Sequence, residues 1–281
     1  MKNKILILLA FVFSMISFSC ETVYLDASPT ASIDAGAAYS TTKNAAAAIN
    51  GIYRSFVVRY LSSQGHSGHP AMMIILDHLG EDMVIGTTAA SWHVGETRWT
   101  AHRSDVNVLS QFPYEMYYRF IGNANIGIAN IDKAVGPQSD KNTLKGEALA
   151  LRAFSYFNLV QIYGKRYDAA AKPNAQLGIP LVLEPTTEGK ARNTVEEVYT
   201  QINKDLDAAA ALLTSARVNK SHINLNVVKG LQARVALVQQ NWANAAKYAA
   251  EARAGYMPMS AAQYADGFQE ITNSEWMWGF D

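Results

Sequence analysis

Lys145 to Tyr167, KGEALALRAFSYFNLVQIYGKRY, is the stretch that decides the fold. Leu149, Ala153, Tyr156, Val160 and Tyr163 recur at the spacing of one face of an α-helix. Ala150, Phe154 and Phe157 widen that face until nearly the whole circumference is apolar or aromatic. A helix apolar on most sides has to be packed on most sides, so the pattern predicts a central core helix with no chemistry of its own. Gly164 follows, at the position where a helix commonly ends in a left-handed residue.

The neighbouring segments are helical too. Upstream, Tyr117, Ile121, Ala124, Ile128, Ile131 and Val135 form a face from about Tyr114 onward, stopped by Gly136-Pro137. An earlier helix over about Thr42 to Tyr60 aligns Ala45, Ile49, Ile52 and Phe56. Between the two, Ser62 to Ser110 is rich in glycine, histidine and tryptophan, with only the short apolar piece Met72 to Leu76. It reads as a long inserted loop, a feature that in compact domains is usually functional.

Downstream, a loop through Lys172-Pro173 leads to the extended Ile179 to Leu183. Thr194 and Glu197 form a capping box ahead of a helix that buries Val195, Val198, Ile202, Leu206, Ala209 and Leu213. Two further helices, about Asn226 to Gln240 and Trp242 to Ala254, are joined too tightly to be anything but antiparallel. Trp242, Ala245, Ala249 and Ala252 give the second a face that a partner helix can approach closely, as in a tetratricopeptide repeat closed by Pro258. The expected fold class is therefore all-α: tetratricopeptide-like antiparallel helix pairs in an irregular α-solenoid, with long inserted loops. The final run, Glu275 to Asp281, reads as strand-like and aromatic; an exposed aromatic end is a poor place to stop a domain, and a truncated chain is expected.

Over 281 residues, lysine plus arginine balance aspartate plus glutamate at 24 each, so no net field points to nucleic acid or to an acidic partner. The single cysteine excludes a disulfide framework and a cysteine-rich metal site. Residues 1–19 carry Lys2 and Lys4, then an apolar run from Ile5 to Phe13, then small and polar residues, the pattern of a secretory signal peptide. The lone cysteine, Cys20, follows Ser19 directly and resembles the acylated cysteine of a bacterial lipobox, although Ser17 and Phe18 depart from the usual pattern. Several acyl chains on Cys20 would anchor the protein stably, each buried methylene contributing about 0.8 kcal/mol. A plain signal peptide with an incidental cysteine is the other reading. The organisation expected is a signal peptide over 1–19, a lipidated tether over 20–41 and a helical domain over 42–281.

In order, several segments resemble the SusD/RagB family of outer-membrane nutrient-binding lipoproteins. They are Cys20 with Leu25-Asp26 and Pro29, Ala48 to Tyr53, Asn123 to Ala134, and the run Gly146 to Gly164. Ile179 to Val182, Arg192 to Val195, the Val227 to Tyr256 helix pair and Asn273 to Glu275 continue the match. Family members are longer, and this chain resembles their N-terminal part. The resemblance implies a cell-surface, lipid-anchored protein that captures an oligosaccharide, or in some members a peptide, and passes it to a SusC-like TonB-dependent transporter. It implies no catalysis, no cofactor and no nucleic-acid partner. A tetratricopeptide-type protein-interaction scaffold is the competing class.

Sugar capture needs flat apolar surface beside hydrogen-bonding groups, which an exposed indole supplies. Trp92 and Trp99, in the glycine- and histidine-rich segment, are the expected ligand surface, with Asp77 or Arg98 as polar partners. The competing reading has both rings plugging the loop onto the helices. His66 and His69 have a plausible ligand spacing, with His78, Glu81 and Asp82 further on, but QGHSGHP reads as a flexible turn and no metal site is expected. The adjacent acids Glu81-Asp82 and Glu196-Glu197 point apart on a helix and cannot flank one glycosidic bond, and no nucleophile elbow or zincin motif is present.

Overall fold

A computed structural model describes residues 34–80, 83, 85–86 and 93–280. Residues 38–281 form one compact unit. The expected signal peptide over 1–19, Cys20, the expected tether as far as residue 33, Glu81, Asp82 and Trp92 lie outside the described residues. Among those described, every regular element is a helix, and none is long and apolar enough to cross a membrane.

Helix α1 (Thr42–Ser55) starts at Thr41, whose side chain accepts a hydrogen bond from the Asn44 amide, and buries Ala45, Ile49 and Ile52. It stops five residues short of Tyr60. Here the chain doubles back: the His69 amide donates to the Phe56 carbonyl at 2.8 Å. Gly68 adopts φ +64, and a Cβ there would overlap that carbonyl, so only glycine allows the return.

The expected loop is interrupted by a helix, α2 (Gly68–Leu79). Glycine and proline in QGHSGHP read as breakers, but Pro70 occupies the first turn, where no amide is needed for the helical ladder. Helix α3 (Val108–Asn130) begins six residues ahead of Tyr114 and runs through Pro113, because Asn107 caps it by accepting from the Leu109 amide at 2.9 Å. A 3₁₀ turn, Ile131–Lys133, then takes the chain off the helical register. Val135, expected on the buried face, is consequently 75% exposed. Its backbone is instead bonded to Ser40 and Thr42.

Helix α4 (Gln138–Tyr163) is the centre, packed against α3 on one side and α5 (Val195–Leu212) on the other. From Gly146 to Phe157 every residue is buried. Burial of each large apolar side chain contributes about 1.5–3 kcal/mol. Gly164 follows in an extended conformation, not a left-handed one. Its requirement is space: a Cβ would lie 2.6 Å from the Val160 carbonyl oxygen and 3.5 Å from Gly178 Cα.

The helix also buries charge. Arg152 donates to both Asp205 carboxylate oxygens, at 2.7 and 2.8 Å, and to Asn125 Oδ1 at 2.9 Å. Gln201 donates to the same carboxylate at 2.8 Å. One and a half turns earlier, Glu147 accepts from Tyr53 Oη at 3.1 Å and lies 3.2 Å from His222 Nδ1. These bonds supply the partners that buried charges require.

The extended Ile179–Leu183 segment pairs with side chains rather than with a strand. Tyr118 donates to the Pro180 carbonyl, and Asn125 and Tyr156 both donate to that of Val182. The capping box at α5 is present, with Thr194 and Glu197 bonded reciprocally. Helices α6 (Leu225–Val238) and α7 (Trp242–Ala252) are antiparallel, since Asn226 on the first donates to the Ala252 carbonyl on the second. Of the α7 stripe only Ala245 and Ala252 are buried; Trp242 and Ala249 are exposed.

The aromatic run near residue 280 is neither a strand nor exposed. Phe280 stacks on Phe56 at 4.8 Å, and Trp278 meets Phe154 edge to face at 5.3 Å while its indole N–H donates to the Ser221 carbonyl. The rings are satisfied by the core that the helices leave open.

Candidate functional site

A depression of about 940 Å³ lies between α2, the segment around Trp99, the start of α3 and the last turns of α4. Met72, Leu76, Leu79, Leu109, Pro113 and Ile162 give it an apolar floor. Asn158, Gln161, Ser110, Asp105, Arg103 and Arg234 supply polar groups around that floor. This combination of size, apolar floor and few polar groups is what small-ligand sites show.

Trp99 stands at the edge of the groove because of a tightly closed turn. A short helix, Val94–Thr97, is tied by the Arg98 amide to the Val94 carbonyl, the Trp99 amide to Glu96 and the Thr100 amide to Gly95. His93 and Trp99, which bracket it, both have left-handed backbones, at φ +58 and +55. A non-glycine residue there costs about 1–2 kcal/mol, strain that is typically kept at functional positions. His78 of α2 stacks on His93 at 4.8 Å and its Nδ1 lies 3.1 Å from Thr97 Oγ1, so the turn is pinned to α2. The indole itself is left 41% exposed.

The opposite wall is built by α4. Asn158 and Gln161, which line the groove, donate back to the Phe154 and Phe157 carbonyls one turn earlier. Tyr163 donates to the Ser110 carbonyl at 2.8 Å, and burial pushes its phenol up to about 12. Arg234, from α6, holds its guanidinium 5.9 Å over the Phe157 ring. Among the described residues neither Arg103 nor Arg234 is in an ion pair.

Of the residues singled out in the sequence, Trp99 lines this groove. Asp77 and Arg98 are exposed and do not line it. Trp92 lies outside the described residues. Arg103, Asn158, Gln161 and Arg234 are the groups that sequence reasoning missed. For Asn158 and Gln161 a signal existed: they interrupt an otherwise apolar helix and so mark its open side.

His66 and His69 do not sit in a flexible turn. His69 belongs to α2, with Nδ1 2.9 Å from Tyr117 Oη and its ring edge-on to Phe154 at 5.0 Å. Burial, with Arg234 adding to it, pushes its pKa down to about 4. His66 stacks on Phe112 at 4.6 Å. Each imidazole is thus engaged by different aromatic neighbours, and among the described residues no three histidines, cysteines or acids converge as metal ligands. Glu196 is held below the usual carboxylate range first by the Asn174 amide, and Glu197 by the Thr194 amide.

Comparison with known proteins agrees with this architecture. A SusD-like family, described as starch-binding and associating with the outer membrane, matches residues 24–237. SusD-like protein P2 of Formosa agariphila is 24% identical over 213 residues, which are 75% of this chain and 39% of that relative. The crystal structure of a SusD-like carbohydrate-binding protein from Bacteroides vulgatus is similar with a TM-score of 0.77 and 30% identity, over 86% of this chain and 51% of that one. A SusD superfamily protein from Bacteroides thetaiotaomicron has a TM-score of 0.67 at 22% identity, a likeness of fold alone, over 85% and 52%. The chain therefore spans 39% of the curated relative and about half of each solved one.

Proposed function

The chain belongs to the SusD-like family, and from that premise we propose that it binds an oligosaccharide in the groove edged by Trp99, at the surface of the outer membrane. The observation that carries this reading is the exposed indole beside an apolar floor and a ring of hydrogen-bonding groups. A pyranose has a face of C–H groups that suits an indole and a rim of hydroxyls that suits amides and guanidinium groups. The groove volume of about 940 Å³ suits several sugar units.

In this reading Cys20 carries the lipid anchor, and the bound oligosaccharide is handed to a TonB-dependent transporter of the SusC type. The protein makes and breaks no bond. Its helical scaffold keeps the groove walls in place, so binding costs little reorganisation. A peptide is the alternative cargo.

Calorimetric titration with maltoheptaose, as a starch oligosaccharide, tests the reading. Trp99→Ala should weaken binding at least tenfold, the loss of about 1.4 kcal/mol of stacking. Unchanged affinity in Trp99→Ala would refute the assignment of the groove. Co-purification of the membrane-anchored protein with a large β-barrel partner tests the hand-over; recovery with soluble partners alone would favour a scaffold instead.

A further inference from the structure

A second depression opens beyond the end of α4, and the reading of the groove makes no use of it. It holds about 530 Å³. Its walls include Trp242 at the start of α7, Leu237 at the end of α6, and Lys165 and Arg166 just after α4. Among the described residues, only Gln161 lines both this cleft and the Trp99 groove.

Three observations point to a ligand. Trp242 is 63% exposed and Leu237 54%, an apolar wall to the cleft. Lys165 and Arg166 are exposed, no carboxylate lines the cleft, and among the described residues neither cation is in an ion pair. The end of α4 does not claim them either, because Arg192 already donates to the Tyr163 carbonyl there. Finally, Tyr199 lines the cleft, and its hydroxyl has no hydrogen-bond partner among the described residues. That hydroxyl is not sealed from solvent, so it is free to bond a molecule that enters the cleft.

The requirements combine in one class of molecule. An inorganic anion would satisfy the cations and leave the indole bare. A neutral sugar would cover the indole and leave two unpaired cations beside it. We propose that this cleft binds an acidic saccharide, a uronate- or sulfate-bearing unit. Its anionic group meets Lys165 and Arg166, its C–H face lies on Trp242, and a hydroxyl bonds Tyr199.

The site is separate from the proposed groove, and the experiment keeps the two apart. Calorimetric titration of the full chain at low salt uses trigalacturonate as the acidic probe and maltotriose as the neutral one. Trigalacturonate should bind more tightly than maltotriose, and its affinity should fall at least about tenfold in Lys165→Ala/Arg166→Ala and in Trp242→Ala. Tyr199→Phe, which keeps the ring, should weaken it severalfold. Trp99→Ala should leave trigalacturonate binding within twofold. All four variants are tested as protein whose far-ultraviolet circular dichroism matches the parent, and Lys165, Arg166 and Trp242 are surface residues whose replacement leaves the core intact. Absence of trigalacturonate binding would overturn the proposal, as would binding that survives the double replacement or disappears in Trp99→Ala. An acidic aromatic peptide binding the cleft more tightly than the sugar would make it a protein-docking surface, and would overturn it too.

Discussion

Replacing Arg152 by methionine tests the most consequential interaction in the core. The guanidinium side chain is 7% exposed and the Asp205 carboxylate 2%, joined by two bonds of 2.7 and 2.8 Å. In Arg152→Met the methylene volume is roughly kept, but both charge-assisted bonds vanish and Asp205 stays buried with only the 2.8 Å bond from Gln201. Asn125 Oδ1 loses its 2.9 Å donor as well. Breaking one side of a buried pair costs about 3–5 kcal/mol, chiefly because the remaining charge is uncompensated. Set against a total stability of about 5–15 kcal/mol, that is a large fraction.

Urea denaturation followed at 222 nm reads the effect directly. A loss of about 4 kcal/mol at a slope of about 3 kcal/mol per molar moves the midpoint down by about 1.3 M. The second variant, Arg152→Met/Asp205→Leu, removes the orphaned charge along with its partner. Its stability should recover to within about 2 kcal/mol of the parent, since well-packed apolar replacements of a buried pair are often close to neutral. A single-variant cost below about 1 kcal/mol would show that the pair is not desolvated as the structure has it. A double variant as unstable as the sum of its singles would show that the two residues do not act as a pair.

Two further outcomes follow from the same core. The folded-state pKa of His69, about 4, lies below its ordinary value of 6.5, so the unfolded chain takes up the proton first and stability is whole above about pH 6.5 and falls as the pH drops toward 4. Between pH 7.5 and 4.5 this one group costs about 2.5 kcal/mol, and His69→Leu should remove that part of the decline; parallel pH profiles for the two proteins would refute it. Thr194→Ala opens the capping box at α5, and a loss of about 1 kcal/mol is expected in urea titration, with Glu197→Ala adding little on top because the two side chains act together.

The parts of the fold that were readable from sequence are those written in local periodicity. The apolar spacing of α4 and α5 and the Thr194–Glu197 box each occupy a few consecutive turns, and each appears where the pattern puts it. What misled the reading was also local: Gly68 and Pro70 look like breakers, yet one permits the return of the chain and the other fills a first turn. What no local pattern carries is a partnership across the chain. Arg152 meets Asp205 across 53 positions, and His222 meets Glu147 across 75. In the groove, Trp99 is legible as a bare aromatic in a polar segment, whereas Arg234 reads as an ordinary residue of an amphipathic helix until the fold brings it over Phe157 of α4.

The buried charges also answer a question that the apolar pattern of α4 raises. Apolar contacts are non-directional, so a helix apolar around nearly all its circumference has no strong preference for one rotation about its axis. The bidentate bond of Arg152, together with Glu147 between Tyr53 and His222, allows only one rotation and one axial position. That rotation is the one that leaves Asn158, Gln161 and Tyr163 along the wall of the Trp99 groove and Lys165 and Arg166 at the second cleft. The segment that identifies the fold thus bears on binding indirectly: its last turns face the open surfaces, and the charges in its middle decide which side chains those surfaces receive.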